Sequence, residues 1–491
     1  MGARLGPSRG VSLVSWARRR QRRAGLRGLA APSGEVMVVV FGALSGLLYL
    51  ATYDAEHRLV HDRDAGRQLV ELARYDLAVI GLVGLYAGLL ASCRRGRLRS
   101  PRARRLAILI PVLFNLAWLA SAPLMSTDVY SYLAYGYIGT LPGGNPYAQE
   151  ASTIVGTPFG LQLADRGWDG AGLSPYGPVW NELELGIVSL TSDASLALVL
   201  SKATVATASL GAAAMVASIL ARVRPDGQQL GTLAYLWNPL LILLLAGEGH
   251  NDGVMILLVL TALALSVRAH VTAGVLAQLL AVLTKFLPLL LLPLQVTYWW
   301  RTTADRPGLL GRLMASGVLG LALAALLYQP VWLGAATFVG TGALGDGRQH
   351  PVDPPRLVSV LGRGAVVGLA VLIGARRARD PQRLLECCAG VVFVAVLAGP
   401  QPYWPWYAAT PVALMVLTPR GQWFWPMLGL SACALVASPL GVLEGRGVVT
   451  DDARVWAMRV LRELPLLCAV GLWLAGKRGV AFRTQLRAAL G

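Results

Sequence analysis

The chain has 491 residues, 55% of them hydrophobic and 14% charged, with a net charge of +18. A soluble domain carries about a quarter charged residues, and one chain of this length has no soluble core able to take in so much apolar side chain, so a water-soluble globular protein is excluded. The positive charge falls in short blocks between apolar stretches of membrane-spanning length, which records membrane topology and excludes a nucleic-acid-binding surface.

Residues 1–33 hold eight arginines and no acid, so they read as a basic cytoplasmic segment. The apolar run that follows from about Val36 lacks an A-x-A cleavage site and is expected to stay as a first helix. Apolar spans are predicted near 35–53, 75–93, 105–124, 195–221, 229–246, 253–268, 310–330, 356–375, 384–399, 407–419, 424–440 and 455–475. Seven arginines and no acid fill 94–105, between the second and third. The stretch 271–300 is too long for one ordinary span and contains Pro288 and Pro293. With Arg268 before it and Arg301 after, it reads as a hairpin of two short or broken helices, Thr284-Lys285-Phe286 near its tip.

The fold expected is therefore an all-α polytopic integral membrane protein with about 12–14 transmembrane helices. Residues 34–475 form the membrane domain, 476–491 a basic tail, and both termini are cytoplasmic. Cys93, Cys387, Cys388, Cys433 and Cys468 lie in or beside apolar segments without metal-ligand spacing and read as small core residues.

This topology puts 125–193, the Gly247–Asp252 turn, 331–355 and the Gln401–Tyr407 turn on the outer side. The first of these carries seven acids and one arginine. It begins Ser126-Thr127-Asp128-Val129-Tyr130-Ser131-Tyr132 and continues through Asn145-Pro146-Tyr147 to Ser174-Pro175-Tyr176-Gly177-Pro178-Val179-Trp180. Two roles stand open for Asp128: a cap accepting backbone N–H groups, or a general base beside a sugar hydroxyl. The tyrosines, with Trp180, suit either an interfacial belt or stacking on sugar rings.

A lysine inside an apolar segment is costly, so Lys285 is the foremost candidate for stabilising an anion, its alternative being to snorkel to an interface. Arg356 is second in line. His250, Asn251 and Asp252 bind substrate or cap the following helix, and Gln401 and Tyr403 are sugar-binding candidates. Trp404 and Trp406 serve equally as belt residues. The His250–Asp252 turn offers too few oxygen ligands for a hard cation, and no phosphate-binding loop or dinucleotide fingerprint occurs, so neither metal nor cofactor is expected.

Six segments in order carry a resemblance: Ser126 to Tyr132, Asn145-Pro146-Tyr147, Pro175-Tyr176-Gly177-Pro178, Trp237-Asn238-Pro239-Leu240, Gly249-His250-Asn251-Asp252 and Thr284-Lys285-Phe286. Together they resemble the polyprenyl-phosphomannose-dependent α-1,6-mannosyltransferases (MptA/MptB type) of actinobacterial lipomannan synthesis, in the GT-C superfamily. The resemblance implies a GT-C bundle in the bacterial plasma membrane, with its active site at the outer loops. It implies an inverting transfer of mannose from a polyprenyl-phosphate donor to a glycolipid or glycan acceptor, among membrane lipids. Asp128 stands where the family has its catalytic base. Arabinofuranose or glucose as the sugar remains an alternative, as does a lipid or solute transporter. A transporter normally repeats its midplane charged site in both halves, and Lys285 has no counterpart.

Overall fold

The computed structural model describes residues 33–62, 64–343, 354–399, 403–465 and 467; the side chains of residues 342, 343 and 354–357 are not described. All regular structure among the described residues is helical. The helices that matter for the site are α1 (Gly34–His61), α2 (Ala65–Arg94), α3 (Pro101–Trp118), α4 (Asp128–Thr140), α5 (Pro178–Leu190), α6 (Ala194–Val223) and α7 (Gln228–Leu236). After them come α8 (Asp252–Ser266), α9 (Val271–Val282), α10 (Leu292–Thr302), α11 (Arg306–Tyr328), α12 (Pro354–Arg377) and α13 (Pro381–Leu397).

Local chemistry explains many of the starts. Ser100, Asp305 and Asp380 each accept a backbone N–H of the first turn, with proline at the start of the helix that follows. Asp193 accepts two such N–H groups at the head of α6.

The chain is a polytopic membrane protein. Six described helices are long and apolar enough to cross a bilayer, or seven if the pair Pro225–Leu236 and Pro239–Gly247, bent by 44°, counts as one span. Large apolar side chains face outward along several of them: Leu50 is 68% exposed, Leu77 72% and Leu321 73%. In water such faces would be aggregation sites; in lipid they are the solvated surface.

The expected 12–14 crossings include several that are short as built. The span expected at 253–268 is the 15-residue α8, and 384–399 belongs to the 17-residue α13. That expected at 407–419 holds the seven-residue helix Ala409–Met415, and that at 455–475 runs beyond the described residues. The stretch 271–300 is indeed two short helices, α9 and α10, with Thr284 to Phe286 at the break and a 3₁₀ turn over Leu287–Leu291.

The segment 125–193 packs across the helix bundle as a cover. Helices α4 and α5 pack so closely that a Cβ on Gly136 would lie 2.6 Å from the Glu184 carbonyl carbon. The Gly177 N–H donates to the Thr284 carbonyl and the Val179 N–H to the Leu283 carbonyl, at 3.1 and 3.0 Å. The cover is therefore joined by main chain to the segment that bears Lys285.

Candidate active site

Asp128 is the first residue of α4. Its carboxylate takes none of the helix's free N–H groups; instead Tyr132, one turn on, directs its hydroxyl at Oδ2 over 3.4 Å. The His250 ring presents Nδ1 at 3.6 Å from the same oxygen and 3.5 Å from the Tyr132 hydroxyl. The geometry is that of a carboxylate held by side chains, not of an N-cap. Surrounding protein and the nearby Asp252 charge push its pKa up to about 6, against the opposing pull of Lys285 and Tyr132. Some 29% of the Asp128 side chain stays open to a cleft.

That cleft, of about 360 Å³, is lined on one side by Leu124 to Asp128, Tyr176 and Lys285 and on the other by Trp404, Trp406, Tyr407 and Gly441 to Glu444. Lys285 Nζ reaches both oxygens of Asp252, at 3.1 and 2.9 Å, and stands 5.5 Å above the Tyr407 ring. Trp406 stacks on His250 at 4.2 Å between ring centroids and on Trp404 at 5.1 Å. Burial and the Lys285 charge hold His250 well below its ordinary pKa, so it is neutral and Nδ1 or Nε2, not both, carries the proton.

The structure separates the sequence candidates. Asp128, Tyr176 and Lys285 line the cleft, and so do Trp404 and Trp406, which an interfacial belt would have claimed. His250, Asn251 and Asp252 are buried behind it, touching Asp128 and Lys285 rather than the open space. Both polar atoms of the Asn251 side chain are buried without a hydrogen-bond partner.

Others support the cover. Tyr132 packs edge-on against Tyr176 and against the buried Trp180. Asn145 makes a local turn with the Tyr147 N–H and donates to the Val331 carbonyl, while the Tyr147 hydroxyl donates to the Tyr176 carbonyl. Tyr130 and Tyr403 are buried. Gln401 and the side chain of Arg356 lie outside the described residues.

Two residues that sequence reading passed over hold the cleft's near wall. Glu248 lies just after a buried π-helical turn, Ile242–Gly247, a form that recurs at functional sites. Its carboxylate accepts from the backbone N–H groups of Leu124, Met125 and Ser126 at 3.0–3.3 Å. Lys202, fully buried in α6, donates to the Trp118 carbonyl at 2.8 Å and to Ser121. A buried anion and a buried cation thus satisfy the donors and acceptors of the strand-like segment that leads to Asp128. Burial nonetheless pushes Glu248 up to about 7 against the three N–H groups and Lys202.

Gly249 lets the chain turn there with φ of 76°; a Cβ would sit 3.1 Å from Lys202 Cγ and 3.2 Å from Val129 Cγ2. Glu248 sits in a predicted turn and does not stand out in sequence, but Lys202 lies inside the apolar span 195–221, and the cost that singled out Lys285 was a signal there as well.

Glu248→Ala is expected to cost about 1–3 kcal/mol, because it strands three part-buried N–H donors, whereas Glu248→Gln keeps an acceptor and loses about half as much. Thermal unfolding in detergent reads both. An alanine variant melting with the wild type would mean that this clamp carries no load.

Comparison with known proteins places the chain among named relatives. Alpha-(1->6)-mannopyranosyltransferase B of Corynebacterium glutamicum is 31% identical over 156 residues, which is 31% of this chain and 26% of that protein. Alpha-(1->6)-mannopyranosyltransferase A of Mycobacterium tuberculosis is 27% identical over 347 residues, 60% of this chain and 63% of that one. The matches thus span from about a quarter to under two thirds of these relatives' length. The sequence model described as "Alpha-(1->6)-mannopyranosyltransferase, N-terminal domain" matches residues 29–301, a stretch that contains Asp128, Glu248, His250, Asp252 and Lys285. With more than half of its length matched, the chain belongs to that family.

Proposed function

We propose that this protein is an inverting α-1,6-mannosyltransferase that takes mannose from a polyprenyl-phosphate donor and passes it to a glycolipid or glycan acceptor on the extracytoplasmic face. The observation that carries the reading is the presence of Asp128 and Lys285 in one cleft, with aromatic rings opposite. A base with a pKa near 6 is ionised at neutral pH and still has appreciable affinity for a proton. Asp128 takes the proton of the acceptor hydroxyl as that oxygen bonds to the anomeric carbon. The bond from that carbon to the phosphate oxygen breaks, and polyprenyl phosphate leaves with its charge beside Lys285. A β-linked donor thereby yields an α-linked product.

Tyr132 and His250 orient the base, and Asp252 fixes the ammonium. Trp404, Trp406 and Tyr407 offer faces to the sugar. For the lipid, an apolar groove of about 480 Å³ runs between α9, α10 and α11 and includes Leu283, two residues from Lys285.

The outer location is supported by charge: α3 starts in the arginine-rich turn of residues 94–105 and ends at Trp118, close before the cleft segment. The mannose and the linkage rest on the family and the relatives' names.

Purified protein given labelled polyprenyl-phosphomannose and a lipid-tailed α-mannoside acceptor is expected to form an α-mannosidase-sensitive product in detergent, without a membrane gradient. Turnover with a nucleotide-mannose donor alone would overturn the donor class. Preference for a polyprenyl-phosphate pentose would overturn mannose.

A further inference from the structure

Another cavity shares no lining residue with the Asp128–Lys285 cleft. It lies between α12, α13 and residues 422–423, with a volume of about 690 Å³. Its inner wall is apolar, made by Ala370, Ile373, Val391, Val394 and the Trp423 ring, and Gly374 and Gly390 keep it open. Its rim is the hairpin between the two helices, with Arg377, Arg379 and Arg383. The cavity reaches along α13 from Arg383 to Val394.

The acids at the rim are already engaged. Asp380 caps α13 by accepting the Arg383 N–H at 2.9 Å, and Glu386 takes the Arg383 guanidinium at 2.9 Å. Neither Arg377 nor Arg379 meets a carboxylate within ion-pair distance among the described residues. On the outer face of α12, Val366, Leu369 and Leu372 are 47–56% exposed, so the cavity opens beside the lipid-facing flank of the bundle.

We propose that this cavity is a binding site for an anionic membrane phospholipid, its phosphodiester held by Arg377 and Arg379 and an acyl chain lying along Ile373, Val391 and Val394. A soluble anion would meet the two arginines but have no use for the apolar wall. A zwitterionic lipid would fit the wall but bring its own cation to the arginines. Basic pockets between membrane helices recognise anionic headgroups by this combination, and each basic residue near such a headgroup alters partitioning about fivefold.

The test is lipid retention by the full-length protein, measured by mass spectrometry after passage through mixed micelles of phosphatidylglycerol and phosphatidylcholine. Wild type is expected to keep phosphatidylglycerol in preference. The double variant Arg377→Gln/Arg379→Gln is expected to lose that preference by roughly tenfold to thirtyfold, with its unfolding midpoint unchanged. Val394→Trp, which fills the wall and leaves both arginines, is expected to lose retention as well. Equal retention by wild type and the arginine variant overturns the site. Displacement of the lipid by millimolar inorganic phosphate, or full retention by Val394→Trp, overturns the lipid in favour of a soluble anion.

Discussion

Asp128→Asn is expected to give a folded protein that still binds polyprenyl phosphate and transfers sugar about 10²–10⁴-fold more slowly. The amide keeps the shape and accepts the Tyr132 hydroxyl as the carboxylate does at 3.4 Å, but it takes no proton from an acceptor. In the wild type, kcat/KM should rise with pH through about 6 and then level, because the carboxylate must be ionised to act.

Stability should move the other way. A carboxyl whose folded pKa is raised from 3.8 to about 6 adds stability below the first value and loses it as pH climbs through the second. The asparagine variant escapes that loss and should melt at or above the wild type at pH 8. Sugar transfer, melting and polyprenyl-phosphate binding, measured side by side, check all three. A variant keeping more than about a tenth of wild-type turnover would remove Asp128 as the base.

Lys285→Met should be damaging twice over. Asp252 has a side chain only 3% exposed, and without the ammonium 2.9 Å away it becomes a buried unpaired charge. Breaking such a pair costs about 3–5 kcal/mol. Losing one fixed donor to a developing oxyanion slows the step by about 10²–10³-fold. Adding Asp252→Asn separates the two effects: the double variant should recover its melting temperature and remain slow. Turnover near wild type in that refolded double variant would show that the leaving phosphate finds its charge elsewhere.

That both residues line the cleft could be anticipated from the sequence. An aspartate opening a tyrosine-rich segment and a lysine inside an apolar stretch are both costly where they stand, and cost marks function. Cost does not reveal direction. His250 to Asp252 promised a substrate-facing turn, yet the turn is buried and faces Asp128 and Lys285 from behind.

Asn145 and Tyr147 sit in a motif but serve the cover through Val331 and Tyr176, partners that no spacing rule names. Glu184, one of the seven acids of the segment 125–193, is fully buried and receives the Ser201 hydroxyl at 2.6 Å, which its position in the sequence does not announce. Helix count was the softest reading, because hydropathy registers apolar length and says little about where a helix breaks. The break at Thr284 to Phe286 was signalled by length and by Pro288 and Pro293, whereas the π turn before Glu248 has no such marker.

The main-chain join at Gly177 bears on how the reaction is gauged. A Cβ there would lie 2.0 Å from the Leu283 carbonyl oxygen, so the cover and the Lys285 segment meet backbone to backbone with nothing between. The span from base to ammonium is then a fixed calibre, cut into the polypeptide before either substrate arrives. Tyr132, His250 and Asp252 trim the position of each group within that calibre, whereas any residue larger than glycine at 177 jacks the two parts open.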